Sequence, residues 1–458
     1  MMEFSKPDII IIGAGLTGLT AAYYLRKAGK KVLLIEQHNR PGGVIRTITE
    51  DGFTFEAGPN TGVISSAELV QLFHDLKLQF EVPGKASRAR WIWKKGRWHA
   101  LPAGLLSAIF TPLFKFKDKI RVLGEPFRRK RHRLNESVAK LVKRRLGKSF
   151  LRYAVDPFIS GIYAGDPEKL IVRFALPRLY ALEHKYGSFV KGTIKRRKII
   201  AAEKAAGITK SVFSVEGGLE NLVRTLIREI GEEYIITGAM DVRVEPLQKK
   251  FVCRFNVNGE SRELVTERLI STVDGLSVAS LLPFIPQEVM GKITAIRYAK
   301  VVQVVVGFRN WRGIPLQAFG GLIPSKEKKD ILGILFPSAL FKNRAPEGGA
   351  LLSVFAGGIK RPDIYLKTDE EIKTIVFESI KSMMKCADKP DLVRIFRYEK
   401  AIPQYESTTE LRLFTIQEIE KAYPALILAG NMRDGIGMSD RVKQAKQIAD
   451  QLLVVDNS

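Results

Sequence analysis

Ile9-Ile10-Ile11-Ile12-Gly13-Ala14-Gly15-Leu16-Thr17-Gly18-Leu19 is an apolar run that passes directly into a glycine turn and then into a helix-forming stretch. A strand buried on both faces, as in a parallel sheet, reads as a continuous apolar run rather than an alternating one. The three glycines sit where a tight turn, close approach of the backbone to a pyrophosphate, and close helix packing each exclude a side chain. The helix that follows aims its free N–H groups at the phosphates. This spacing also arises by chance, so the residues further along must carry the reading.

They do. Lys31-Val32-Leu33-Leu34-Ile35 forms a second apolar strand ending in Glu36, close to the roughly 20-residue offset of an acid that binds ribose hydroxyls. A carboxylate there suits the unmodified ribose of NAD or FAD and repels a 2′-phosphate, which disfavours NADP. Arg40-Pro41-Gly42-Gly43-Val44-Ile45-Arg46-Thr47 separates FAD from NAD. Two further glycines beside an arginine resemble the second pyrophosphate contact of the flavin-dependent amine oxidase and glutathione reductase superfamily. An ordinary Pro-Gly turn is the rival reading.

The 458 residues exceed one simple core, so two or more domains are expected. Only Cys253 and Cys386 occur, without a CxxC or Cys/His cluster, which supports neither a disulfide framework nor a metal site and suggests a reducing compartment. Met1-Met2-Glu3-Phe4-Ser5-Lys6 reaches the first strand within a few residues, so no leader peptide is expected. The charge is concentrated. Residues 85–200 hold 30 Lys and Arg against 7 Asp and Glu, nearly all of the net +26. Each basic side chain at an anionic membrane surface contributes about 1 kcal/mol. Nucleic acid is the other polyanion, but no nucleic-acid-binding module occurs among these residues, and a solvated basic face without a partner remains open. No apolar run reaches the length of a membrane span. Ala100 to Phe114, broken by Pro102 and Pro112 and followed by Lys115, Lys117 and Lys119, reads equally as an interfacial segment or as a buried helix.

Along the chain, a β-α-β start runs to about residue 85, followed by the basic, helix-rich segment to about 205. Ser214-Val215-Glu216-Gly217-Gly218-Leu219 marks the return to the first domain, with a helix over Glu220–Ile230, strands at Glu233–Ile236 and Val242–Glu245, a hairpin over Phe251–Val265 and a strand at Arg268–Thr272. Tyr298 to Arg309 opens an antiparallel sheet that continues through Gly333–Phe336 and Leu351–Phe355. Ala425–Asn431 and a helix from about Ser439 to Leu453 close the chain. No internal repeat or low-complexity linker occurs in the sequence, so interleaved rather than beaded domains are expected.

With these positions in view, the chain resembles the oxygen-dependent protoporphyrinogen oxidase family along nearly its whole length. Phe55-Glu56-Ala57-Gly58-Pro59-Asn60-Thr61 is similar to its Glu-x-Gly-Pro-Asn/Asp-Ser/Thr motif. Asp156-Pro157-Phe158-Ile159-Ser160-Gly161-Ile162-Tyr163-Ala164-Gly165-Asp166-Pro167 is similar to its Pro-Phe-x-x-Gly-x-x-Ala-Gly-Asp-Pro block. Gly320-Gly321-Leu322-Ile323-Pro324-Ser325, Leu332-Gly333-Ile334-Leu335-Phe336, Pro403-Gln404-Tyr405, Ala429-Gly430-Asn431 and Gly435-Ile436-Gly437-Met438-Ser439-Asp440 continue the resemblance.

The resemblance implies an α/β (overall α+β) architecture. A Rossmann-like FAD domain would come from residues 1–85, 206–296 and 406–458, a basic helical membrane-binding and substrate-entry domain from 86–205, and a substrate-binding β-sheet domain from 297–405. It implies FAD-dependent removal of hydride equivalents from protoporphyrinogen IX in three rounds, with O2 as acceptor and H2O2 released. FAD would contact Gly13, Ala14, Gly15, Leu16, Thr17, Gly18, Glu36, Gly42, Gly43, Val44, Gly58, Pro59, Asn60, Thr61, Val242, Tyr398, Ile436, Gly437 and Met438. Leu322, Leu335 and Phe355 would sandwich the ring, Arg90 would pair with a propionate, and the Gly161 carbonyl would accept from pyrrole N–H groups. Asn60 would polarise or position a proton. On their own, the three apolar residues read as strand core and Arg90 as one of thirty cations in its region. Tyr398 stands where many members have tryptophan, and Met438-Ser439 replaces a frequent Ile-Pro.

An anionic membrane surface on the inner, cytoplasmic side, a homodimer and the next enzyme of heme synthesis are the partners expected; no metal and no nucleic acid are. Coproporphyrinogen III oxidation, carotenoid desaturation, amine oxidation and a non-catalytic flavin or tetrapyrrole carrier are the competing functions.

Overall fold

The computed structural model describes residues 6–84, 89–102, 107, 110–131 and 133–455. Five short strands form a wholly parallel sheet in the order Leu426–Leu428, Arg268–Ser271, Ile9–Ile12, Val32–Ile35, Ile235–Ile236. Its first strand is apolar throughout because both faces are covered. Ile9 and Ile11 pack under the helices Leu16–Lys27, Ala67–Asp75, Glu220–Ile230 and Met438–Val455. Ile10 and Ile12 pack against the antiparallel strands Met240–Leu247, Lys250–Val257 and Glu260–Thr266 and the helices beyond them.

A second, seven-stranded sheet has the order Leu392–Pro403, Tyr298–Phe308, Ala350–Gly357, Ile331–Leu335, Gly320–Leu322, Arg90–Lys94, Arg97–Ala100. The alternation of its strands separates two faces. Val302, Val304, Val306, Ile334, Leu352, Val354 and Ala356 are buried against the helix Asp369–Met384, which opens with a Thr368/Glu371 capping box. The opposite face looks toward the parallel-sheet half.

The hairpin Arg90–Ala100 changes one expected boundary. Counted with the basic helical segment from its sequence position, it belongs by pairing to the second sheet. Its turn at Lys95-Gly96 has both residues at positive φ, as a two-residue hairpin requires, and Arg90, Trp91 and Ile92 pair in parallel with Gly320, Gly321 and Leu322.

Residues 116–205 are mainly helical, and five of their eight acids, Asp118, Glu125, Glu136, Asp156 and Glu183, are buried. Arg145 and Glu125 are fully buried and 3.1 Å apart. Glu183 takes both Arg145 and Arg144, and Glu136 takes Arg144 at 2.6 Å. Asp118 accepts from the Ser149 N–H at 2.7 Å. Buried charges persist only when paired, so this segment folds by drawing most of its acids inward against a few cations and leaving its excess cations at the surface. Of the stretch Ala100 to Phe114, residues 103–106, 108 and 109 lie outside the described residues. Leu113 and Phe114 are buried, and Phe114 stacks on Phe150 at 3.9 Å. Near this stretch, Phe110, Phe116, Ile120, Leu123 and Phe127 are exposed.

Candidate active site

The two glycine turns lie against each other. The Gly42 N–H donates to the Ala14 carbonyl at 2.7 Å, and a Cβ on Gly43 would stand 3.3 Å from the Gly15 Cα. At Gly18 a Cβ would fall 2.0 Å from the Gly13 carbonyl oxygen, so the helix start tolerates no side chain. A Cβ on Gly15, by contrast, would meet nothing within 4 Å. That open space faces the N-terminus of Leu16–Lys27, where free N–H groups and the helix dipole favour a pyrophosphate. Val44, beside it, is 61% exposed although apolar, as expected of a residue that a bound dinucleotide covers.

Glu36, buried at the end of the second strand, accepts from the Ala14 N–H at 2.8 Å and the His38 N–H at 2.9 Å. One backbone donor on each oxygen leaves lone pairs for two ribose hydroxyls. The Glu36 carbonyl accepts from the Ala239 N–H at 3.0 Å, and Val242 lies three residues beyond Ala239. These residues fit FAD. Of the two arginines by the second turn, Arg40 is committed to the turn itself, donating to the carbonyls of Gly43, Ile45 and Pro41 at 2.7, 3.1 and 3.2 Å. Among the described residues nothing hydrogen-bonds the Arg46 guanidinium.

The remaining predicted contacts approach from the other side. Gly58 lies so close to the second turn that a Cβ would stand 2.0 Å from the Val44 carbonyl oxygen. Pro59 and Thr61 follow it on one loop, and Asn60 donates to the Gly58 carbonyl at 3.1 Å, which leaves its amide oxygen free. Ile436 and Gly437 form a turn leading into the helix that opens at Met438. The Tyr405 hydroxyl holds this turn, accepting from the Gly435 N–H and lying 3.0 Å from the Asn431 and Gly435 carbonyls. Burial pushes the Tyr405 hydroxyl up to about 12, so it remains a neutral hydrogen-bonding group. Tyr398 is likewise raised by burial, and its hydroxyl donates to Gln303 Oε1 at 3.4 Å.

Of the five residues expected against a substrate, Arg90, Leu322, Leu335 and Phe355 come together on one face of the seven-stranded sheet, and Gly161 lies on a helix beside it. One cross-strand row reads Gln303, Phe355, Gly333, Leu322, Ile92, and the next reads Val305, Ser353, Leu335, Gly320, Arg90. Strand spacing makes the floor from Gln303 to Leu322 about 14 Å wide. Leu322, Leu335 and Phe355 keep accessible surface, whereas their neighbours on the opposite face are buried. Gly333 lies between Phe355 and Leu322 with no side chain to fill the middle. The helix Asp156–Ile162 borders the far edge. A Cβ on Gly161 would meet the Leu322 side chain at 2.4 Å, and among the described residues nothing donates to the Gly161 carbonyl in the helix's last turn. Asp156 anchors that helix, accepting from the Ser325 N–H and hydroxyl at 2.7 and 2.9 Å and from Lys360 at 2.6 Å. At the end of the second row Arg90 lies 5.5 Å from the Phe319 ring, has no ion pair among the described residues, and is lowered by burial.

Several residues of this architecture were not anticipated. Thr272 donates to the Ile12 and Gly13 carbonyls at 3.0 and 2.9 Å. Arg344, from a distant loop, pairs with the buried Glu56 at 3.3 Å. Gln303 links both sides of the site. Each is a polar residue in an apolar or loop context, the one signal the sequence offers.

Comparison with known proteins agrees with this geometry. The protoporphyrinogen oxidase of Nicotiana tabacum mitochondria is 27% identical, with 98% of this chain and 95% of the relative covered. The coproporphyrinogen III oxidase of Bacillus subtilis (strain 168) is 25% identical, with 99% of each covered. In fold, the chain is similar to a structure from Exiguobacterium sp. 255-15 provisionally named a protoporphyrinogen oxidase, with a TM-score of 0.82, 23% identity and 98% and 99% coverage. It is also similar to the cyclohexylamine oxidase of Brevibacterium oxydans IH-35A, with a TM-score of 0.71, 15% identity and 98% and 100% coverage. The profile of the flavin containing amine oxidoreductases matches residues 16–453, and the chain belongs to that family as an FAD-dependent oxidoreductase.

Proposed function

We propose that the chain oxidises a porphyrinogen, with protoporphyrinogen IX the substrate and protoporphyrin IX the product of three two-electron rounds. The observation that carries this reading is the floor of Leu322, Leu335, Gly333 and Phe355, wide and apolar, with an unpaired guanidinium at one end and a free carbonyl at one edge. A reduced tetrapyrrole needs those three features: apolar walls for the ring, a cation for a propionate, and an acceptor for pyrrole N–H groups. When bound, FAD supplies hydride acceptance and reoxidation by O2 to H2O2. Arg90 fixes the ring's orientation through a bidentate hydrogen bond to a propionate. The Gly161 carbonyl accepts from pyrrole nitrogens, and Asn60 positions a proton through its free amide oxygen. Relatives named for both porphyrinogens support the substrate class. Purified holoenzyme given protoporphyrinogen IX and, separately, coproporphyrinogen III should form fluorescent porphyrin with O2 uptake, faster on the first. Faster turnover of the second would make the enzyme a coproporphyrinogen oxidase. Turnover of neither, with turnover of an amine, would overturn the reading.

The same proposal includes attachment to the inner, cytoplasmic face of an anionic membrane. Phe116, Ile120 and Leu123 form one exposed stripe on the helix Phe116–Leu123, and Phe127 follows at 87% exposure. Lys115 and Lys117 flank the stripe. An apolar stripe edged by cations is the pattern of a helix lying in a membrane surface, and no helix among the described residues is long and apolar enough to cross one. Binding to anionic vesicles should weaken in high salt and in a Phe116→Asp/Phe127→Asp variant; binding indifferent to both would reject this attachment.

A further inference from the structure

Gln303 is the one polar residue in the strand stretch Val301-Val302-Gln303-Val304-Val305-Val306, and its side chain is fully buried. Its Nε2 donates to the Glu56 carbonyl at 2.8 Å and to Ser353 Oγ at 2.9 Å. Its Oε1 accepts from the Gly58 N–H at 3.1 Å and from the Tyr398 hydroxyl at 3.4 Å. The two backbone partners fix the amide's orientation, because a carbonyl only accepts and an N–H only donates. Its hydrogen-bonding capacity is thus filled by four partners from three other parts of the chain. The strand itself does not need the amide, since the valines around it supply all that the ladder and the Asp369–Met384 packing require.

The partners show what the amide joins. Glu56 and Gly58 begin the loop that continues to Thr61, and Gly58 abuts the Val44 carbonyl of the second glycine turn. Ser353 lies two residues before Phe355, and Phe355 pairs across strands with Gln303 itself. One unbroken path therefore runs from the cofactor turn at Val44 through Gly58 and Gln303 to the substrate floor.

We propose that Gln303 is a positioning residue that fixes the offset between the cofactor-side loop Glu56–Thr61 and the floor at Phe355. The proposal rests on the flavin site and floor described above, and not on which porphyrinogen is the substrate. Hydride transfer tolerates little error in that offset, and misplacement by about an ångström costs on the order of 100-fold in rate. Loss of the amide should therefore act on the chemical step more than on binding.

The test is Gln303→Leu, prepared as FAD-loaded holoenzyme and compared with wild type by flavin absorption spectrum, by reduction midpoint potential without substrate, and by steady-state kinetics per bound FAD. We expect a displaced flavin band and potential, kcat lower by about 10- to 100-fold, and KM changed by less than about threefold. Ser353→Ala removes one partner and leaves the loop bonds, so it should move the spectrum the same way with a smaller loss of kcat. It also decides the matter should Gln303→Leu fail to fold. Wild-type spectrum and kcat per flavin in either folded variant would overturn the proposal. If wild type turned over neither porphyrinogen, the substrate reading would fall while the spectrum and potential still judged Gln303.

Discussion

The parallel-sheet half and the basic helical segment hold together by opposite means. In the first, Ile9, Ile11 and Leu34 lie under helices and meet Leu19 of the helix Leu16–Lys27 in a largely apolar cluster, and stability comes from apolar area removed from water. In the second, between residues 116 and 205, the centre is Arg145 locked to Glu125 and Glu183, with Arg144 bridging Glu183 and Glu136. An apolar core degrades gradually as methyl groups are lost, whereas a buried ionic node fails when one partner goes, because the other charge remains in a dry site. The difference teaches where each half is vulnerable and why a segment with so few acids can still fold.

The sharpest way to break the contrast is Arg145→Ala. Leaving the fully buried Glu125 without its cation, and Glu183 with Arg144 alone, should cost about 3–5 kcal/mol, and limited proteolysis should cut residues 116–205 while FAD stays bound. Loss of FAD in parallel with cleavage would show that the two regions are one cooperative unit. In the parallel-sheet half, Gly18→Ala sets a methyl against the Gly13 carbonyl. A cost of about 1–3 kcal/mol, or roughly 10- to 100-fold in FAD affinity, should appear in equilibrium titration, with the helical segment unaffected. Arg90→Ala, at the edge between regions, should raise KM for the porphyrinogen about tenfold through one lost charged hydrogen bond and leave FAD affinity unchanged. A raised kcat deficit with unaltered KM would remove Arg90 from substrate binding.

Acid should discriminate most finely. Burial works to raise the Glu183 carboxyl, but the hydrogen bonds from Arg144 and Arg145 outweigh it and hold the group below its usual 4.5. A depressed carboxylate lends stability above its unfolded value that disappears as pH falls through the folded one. Glu56, in the other half, is raised by burial in spite of Leu219, Thr47 and Arg344, so its contribution is present at low pH and is lost as pH rises through its folded value. Hydrogen exchange on descending below pH 4.5 should therefore lose protection first in residues 116–205; simultaneous loss in both regions would refute the distinction.

Local pattern made most of the parallel-sheet half readable. The helix Glu220–Ile230 is found at its expected bounds, and the strands Ile9–Ile12 and Val32–Ile35 follow the apolar runs, because period and turn residues are local properties. Leu322, Leu335 and Phe355 were named through family resemblance, since alternation along their strands does not by itself tell a substrate face from a packed one. Arg90's place in the sheet was hidden because its partner, Gly320, is 230 residues away. Gln303 was passed over inside a run of valines, where β-branched neighbours argue for strand and say nothing of what a single amide reaches. For the stretch Ala100 to Phe114 periodicity left an interfacial segment and a buried helix equally open; its end is buried at Leu113 and Phe114, while Phe110 and Phe116 are exposed.

The dinucleotide-facing helix Leu16–Lys27 packs against Met438–Val455, and the strand Ile9–Ile12 reaches Leu426–Leu428 through only one intervening strand. A ribosome makes the first of these elements long before the last. The nascent chain must carry its glycine turns unfinished through the synthesis of some four hundred residues, and capture of the yellow cofactor becomes an event that waits for Met438–Val455 to be made, within reach of whatever chaperones attend long-range closure.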